Sequence, residues 1–218
     1  GFKSSYFFSS ARMGLYWFLK NNNIGKGDKV VLQSFNCVVV PDAIMKTGAE
    51  TKYLDILSDS FSPNPDHINQ IIEDDNIKAL VLQNSFGFHD NFKIKYLKEK
   101  RPDMLFILDS SLSFTSDQKV WDEYHSFDCV MLSFDLSKPL ALISGGAILT
   151  NDINRSYEDN YNNINYLESG PRNFLLNHLR LNIFLGHHDG LYQFSKFIVS
   201  GTMKYLNPNS FSGFQEGT

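Results

Sequence analysis

The sequence predicts an α/β fold: three layers, αβα, around a mostly parallel sheet. Two observations carry this expectation. Short apolar runs alternate along the chain with segments of helical periodicity, the order produced when a crossover helix follows each strand. Those runs are apolar throughout rather than at every second residue, as in ALVL at 79–82 and MLFIL at 104–108, which suits strands covered on both faces.

The elements follow in order. After Ser9 and Ser10, ARMGLYWFLKN at 11–21 reads as a helix with Leu15, Phe18 and Leu19 on one face. GKGD at 25–28 is a turn, and 29–32 an apolar strand. A helix over 38–46 carries Pro41 early, where a first turn tolerates it, and stops at Thr47-Gly48. ETKYLDI at 50–56 is the next strand, and 63–73 a helix opened by Asn64-Pro65-Asp66. A buried strand at 78–83, a polar-faced helix at 91–100 and a strand at 104–108 come next. Two further strands, 129–133 and 147–150, flank a loop that contains Lys138. Beyond Asn151 the texture changes. Residues 157–166 are rich in Asn and Tyr, and 173–205 reads as largely helical with a break at 186–190. The expected organisation is a core at 1–152 and a mostly helical continuation at 153–218. The polar, Gly/Ser-rich stretch 207–218 reads as a linker, and both ends read as those of a fragment.

Bulk properties exclude several classes. A net charge of -4 lacks the basic face of a nucleic-acid binder. No apolar run approaches the roughly 20 residues that span a bilayer. Cys37 and Cys129 alone make no disulfide framework, so a cytoplasmic setting is expected. His89, His125 and the pair His187-His188 show no zinc-ligand spacing with these cysteines. Ser133 lacks a Gly-x-Ser-x-Gly frame, and neither a Gly-x-Gly-x-x-Gly nor a Walker sequence occurs.

In such sheets ligands gather beyond the carboxyl ends of the strands, which directs attention to 34–37, 84–88, 109–113 and 133–138. Asp109 closes a buried strand. It reads either as a turn cap or as a carboxylate held to meet a cationic ring or metal. Lys138 follows one strand and precedes the apolar stretch 139–143. Most lysines are solvated charges, but one in an apolar pocket becomes a nucleophilic amine. Ser9, Ser10, Ala11 and Arg12 open a helix and suit either an N-cap or an anion such as phosphate.

These pieces form a series: SSARMGL at 9–15, IGKGDKVVLQSFNCVVVPDAIMKTGAE at 24–50, YLDI at 53–56, VLQNSFGF at 81–88, LDSS at 108–111 and SFDLSKPLALISGGAILTND at 133–152. In order and spacing the series resembles the DegT/DnrJ/EryC1/StrS family of sugar aminotransferases, which have the aspartate-aminotransferase-type fold and use pyridoxal 5'-phosphate (PLP). The resemblance implies that Lys138 forms the internal aldimine and shuttles protons, and that Asp109 keeps the pyridine nitrogen protonated. It further implies that Ser133, with Ser10, Ala11 and Arg12 at the helix start, contacts the cofactor phosphate. Cys37 falls where many relatives stack an aromatic ring over the cofactor. Leu112 departs from the pattern, because relatives carry Gln or His there near the ring hydroxyl; Ser111 and Ser113 are the neighbouring donors open to that role. Family members are also considerably longer.

The resemblance therefore implies amino transfer from an amino-acid donor to a nucleotide-linked keto-sugar, at a homodimer interface. Two alternatives stand beside it. Sugar dehydration is one, although relatives that dehydrate replace the lysine by histidine. A non-catalytic binding or scaffolding homologue is the other, motivated by Leu112 and the short chain.

Overall fold

The computed structural model describes residues 2–90, 92–140, 142, 144–152 and 157. The chain divides into two compact units, Gly1–Asn165 and Tyr166–Thr218, and the described residues all belong to the first. The helical stretch expected over 173–205, and all of 157–166 except Tyr157, lie outside them.

The strands are β1 Ser4–Phe8, β2 Lys29–Gln33, β3 Glu50–Leu54, β4 Ile77–Gln83, β5 Leu105–Asp109, β6 Cys129–Ser133 and β7 Gly146–Thr150. The helices are α1 Ala11–Asn21, α2 Val39–Thr47, α3 Pro65–Ile72, α4 Ile94–Lys100 and α5 Gln118–Tyr124. One sheet results, in the order β1-β7-β6-β5-β4-β2-β3. β2 to β6 run parallel, and β7 runs antiparallel to both β6 and β1. The expected mostly parallel α/β architecture is what forms.

Two elements were not foreseen, and each has a physical reason. In β1 (SSYFF), Tyr6 and Phe8 face inward while Phe7 is left 57% exposed. Its three consecutive aromatics hide the period-two signal. α5 is seven residues long with Tyr124 alone fully buried, and its apolar stripe of Val120, Trp121 and Tyr124 is too short to give a periodic signal. Its start depends on Asp117, whose carboxylate accepts the Lys119 N–H at 2.8 Å.

The sheet carries a core on each face. On one, α1 and α2 pack Leu15, Trp17, Phe18, Ala43 and Ile44 against Val30, Val81, Ile107 and Met131. On the other, Ile68 of α3, Ile94 and Leu97 of α4 and Tyr124 of α5 meet Leu80, Leu82, Phe106 and Val130. Gly14 brings α1 close to β7, since a Cβ there would lie 2.8 Å from Ile148 Cγ1. Tyr157 adds to the first core. Its ring lies 5.5 Å from Trp17 and its hydroxyl donates to Asn22 Oδ1 at 2.8 Å. Burial pushes that hydroxyl's pKa up to about 12. No helix among the described residues is long and apolar enough to cross a membrane.

At the opposite end of the sheet from the strand termini discussed below, buried Arg101 closes the α4–β5 connection. Its Nη atoms donate to the carbonyls of Ile72, Asp74 and Ile77 at 3.0–3.1 Å, and Nε and Nη2 hold Asp103 in a fork at 2.9 Å. That fork draws the Asp103 carboxyl down to about 2. Arg101→Lys keeps the charge but cannot reach this many acceptors. We expect a loss of about 2 kcal/mol in urea unfolding, from carbonyls left unpaired; an unchanged midpoint would show that the fork is dispensable.

Candidate functional site

The carboxyl ends of the strands carry an unusual layer of buried polar residues: Gln33, Gln83, Asn84, Ser85, Asp109, Ser110 and Ser113. Buried polar groups must find partners, and most of these partner one another. The Tyr124 hydroxyl accepts from Asn84 Nδ2 at 3.0 Å and lies 3.0 Å from Ser110 Oγ. Ser113 Oγ donates to the Asn84 carbonyl and accepts the Gly87 N–H, both at 3.0 Å. This bonding holds the β4 and β5 ends together behind the site.

Asp109 is the last residue of β5 and 3% exposed. Burial pushes its carboxyl above the ordinary range, opposed by the Ser111 hydroxyl, the Ser111 N–H and the charge of Lys138. The Ser111 N–H donates to Asp109 Oδ1 at 2.9 Å. That bond is the turn cap the sequence offered, and a carboxylate buried this deeply is also suited to a cationic partner that would restore its charge.

Lys138 is half-buried in the β6–β7 loop. The loop is pinned at its base, where the Phe134 N–H donates to the Gly145 carbonyl at 2.9 Å and the Leu142 N–H to the Phe134 carbonyl at 3.0 Å. Within it, the Lys138 N–H meets the Asp135 carbonyl at 2.9 Å, and Ser137 Oγ bonds Asp135 Oδ1 at 3.3 Å. The charge of Lys138 acts on the Asp109 carboxyl, more weakly than burial or the Ser111 bonds.

The third component assembles at the start of α1. Ser10 is the N-cap, its hydroxyl accepting the Met13 N–H at 3.3 Å. It also forms a bridge with Gly145, which has the left-handed φ of +118°. Gly146 pairs with Ser133 in the β6–β7 register and lies against the backbone of Ser10 and Ala11 so closely that no Cβ fits. Gly145 and Gly146 therefore connect Ser133 to the start of α1, a backbone cradle where the Met13 N–H is taken by the Ser10 cap and those of Ala11 and Arg12 precede the helix's own ladder. A helix start of this kind attracts anions. Arg12 turns its guanidinium to Asp42 of α2 at 3.6 Å, which leaves its backbone as what it offers the cradle. Cys37 is exposed in the β2–α2 loop, where its carbonyl accepts the Val40 N–H at 2.9 Å. Cys129 is fully buried in β6.

Of the two donors near half-buried Leu112, the Ser113 hydroxyl is consumed by the β4–β5 bonding, and Ser111 gives its N–H to Asp109. Gln33 and Gln83 went unrecognised in the sequence. The available signal was a glutamine closing each of two apolar strands, KVVLQ and IKALVLQ.

The described fold is shared with solved aminotransferases. The aminotransferase TlmJ from Streptoalloteichus hindustanus matches at 24% identity and a TM-score of 0.59, over 68% of this chain and 40% of its own. A DegT DnrJ EryC1 StrS aminotransferase from Brucella abortus matches at 21% and 0.61, over 78% and 47%. DesV from S. venezuelae, solved with a ketimine intermediate, matches at 18% and 0.61, over 77% and 45%. At these identities the likeness is one of fold, and the chain spans less than half the length of each. No curated protein sequence matches it. The model of the DegT/DnrJ/EryC1/StrS aminotransferase family matches residues 1–159. That stretch takes in the whole sheet and every residue gathered at its carboxyl edge, so the chain belongs to the DegT/DnrJ/EryC1/StrS aminotransferase family.

Proposed function

We propose that this chain carries the PLP-binding core of an aminotransferase that moves an amino group from an amino-acid donor to a nucleotide-linked keto-sugar. The observation that carries the reading is the buried Asp109 at the end of β5, together with the close packing of Gly146, which is paired with Ser133, against the start of α1. The residues fit the cofactor: the cradle suits its phosphate, Asp109 its pyridine nitrogen and Lys138 its aldehyde. Bound PLP would supply an electron sink for the carbanion formed at the substrate carbon.

The chain's own groups have defined tasks. Ser10, Ala11, Arg12 and Ser133 would hold the phosphate through a hydroxyl and backbone N–H groups at the positive end of α1. Asp109 would hold a proton on the ring nitrogen, its carboxylate oriented by the Ser111 N–H. The Lys138 amine would hold the cofactor's aldehyde and would move the proton at the substrate carbon. Cys37, exposed in the β2–α2 loop, is the residue that would lie over the ring. The homodimer and the keto-sugar substrate belong to the same proposal and are supported by family membership.

Addition of PLP to the full chain tests this. The wild type should gain the long-wavelength absorbance of lysine-bound cofactor, and Lys138→Ala should abolish it. A wild type without that band, or a variant that retains it, overturns the assignment. Leu112 favours a second reading, a non-catalytic homologue that binds PLP. A band that stays unchanged when amino donors are added would select it.

A further inference from the structure

We propose that Gln83 contacts the cofactor's ring hydroxyl and takes the place that Leu112 cannot fill. The inference rests on the PLP reading above and deepens it.

The order of strands sets the geometry. On the pyridine ring, the phosphate arm and the hydroxyl project from opposite sides of the carbon that bears the aldehyde. The phosphate cradle lies at the ends of β6 and β7, and Asp109 ends β5. A ring with its nitrogen on Asp109 and its phosphate arm toward β6 and β7 therefore turns its hydroxyl toward β4, the strand on the other side of β5.

Gln83 is the residue β4 offers there. It is paired in register with Asp109, and neighbouring residues in register on parallel strands point to the same face. Two residues earlier, Val81 and Ile107 obey the same rule and share the core under α1 and α2. The position of Gln83 is also built. The β2–β4 ladder ends at Leu32 and Val81, and the Gln33 side chain extends it by accepting the Gln83 N–H on Oε1. Gln33 is itself anchored by Nε2 to the Phe61 carbonyl at 2.9 Å.

Only one end of the Gln83 amide is engaged. Nε2 bonds Ser85 Oγ at 2.7 Å, while Oε1 has no hydrogen bond among the described residues and is not sealed from solvent. A 3%-exposed amide with one open end thus belongs to the residue in register with Asp109, on the same face of the sheet. The Ser85 hydroxyl donates as readily as it accepts, so the amide can turn over and present its N–H groups to the ring oxygen.

The experiment titrates the full chain with PLP by absorbance, across a range of pH, for wild type and three variants. Gln83→Met keeps volume and removes the amide. It should bind PLP about tenfold more weakly, the size of one hydrogen bond to an ionised oxygen. Without a donor the ring oxygen holds its shared proton more tightly, so the pH at which the band titrates should rise by about one unit. Gln83→Glu keeps length and the Ser85 contact but offers only acceptors, and should behave alike. Ser85→Ala removes the inner bond alone and should stay within about twofold of wild type in affinity, at the wild-type titration pH. A Gln83→Glu or Gln83→Met protein with wild-type affinity and titration pH overturns the assignment. So does a Ser85→Ala protein that shifts as far as the Gln83 variants, because Gln83 would then act only in packing. A wild type that never gains the band refutes the cofactor reading itself, which separates that failure from this one.

Discussion

Asp109→Asn should make the cofactor-free chain more stable near neutral pH while lowering amino transfer by about a thousandfold, roughly 4 kcal/mol of barrier. Both effects come from one fact. The carboxyl is buried, and its folded-state pKa is raised above the ordinary value of 3.8. Below that ordinary value folded and unfolded chains both hold the proton, and the carboxyl costs nothing. As the pH rises toward the raised folded value the unfolded chain releases its proton first, and stability falls. Above the folded value the penalty is complete and constant. Asparagine has no charge to desolvate and still accepts the Ser111 N–H. Melting curves without PLP should coincide for the two proteins at acid pH, diverge above it in favour of the variant, and then run parallel. A variant less stable than wild type at pH 7 would mean that the carboxylate is satisfied in the empty site, contrary to its burial. The catalytic loss follows because a neutral amide cannot hold a proton on the ring nitrogen. Activity kept in the variant would remove Asp109 from the mechanism.

Gly146→Ala is expected to cost about 3 kcal/mol of stability and to weaken PLP binding about a hundredfold. A Cβ at 146 would come within 2.5 Å of Ala11 Cα and 2.8 Å of the Ser10 carbonyl carbon, and closer still to the Ala11 nitrogen. These are backbone atoms at the start of a helix, and no rotamer change can relieve the overlap. Either β7 or the first turn of α1 must move, and both form the anion cradle with Ser133. Gly25→Ala is the control, since a Cβ there would meet the Thr47 carbonyl at 3.4 Å, and it should change stability by less than about 0.5 kcal/mol. Calorimetric titration with PLP, beside the melts, separates the two consequences. Wild-type affinity in Gly146→Ala would place the phosphate elsewhere.

Much of this molecule was readable from the chain. Strands β4 and β5 declared themselves because they are buried on both faces, and helix α1 because Leu15, Phe18 and Leu19 repeat at helical spacing. Asp109 was visible as an acid ending an apolar run. Lys138 was visible mainly through the family pattern around it, because a lysine in a loop carries little signal of its own. β1 and α5 were not readable: one owes its place to pairing with β7, and the other to a short contact of Val120, Trp121 and Tyr124 with the core.

The sequence by itself determined the alternation of strands and helices, the polar residues at the strand ends and the glycines at 145 and 146. Those are local properties, set by side-chain polarity, backbone freedom and periodicity over a few residues. Only the tertiary structure decided which of them meet. It placed Gly146 against Ala11 across 135 residues of chain, committed Ser113 to holding β4 to β5, and set Gln83 beside Asp109. Strand order and register are settled by how the whole sheet buries its two faces, and no short stretch of sequence contains that information.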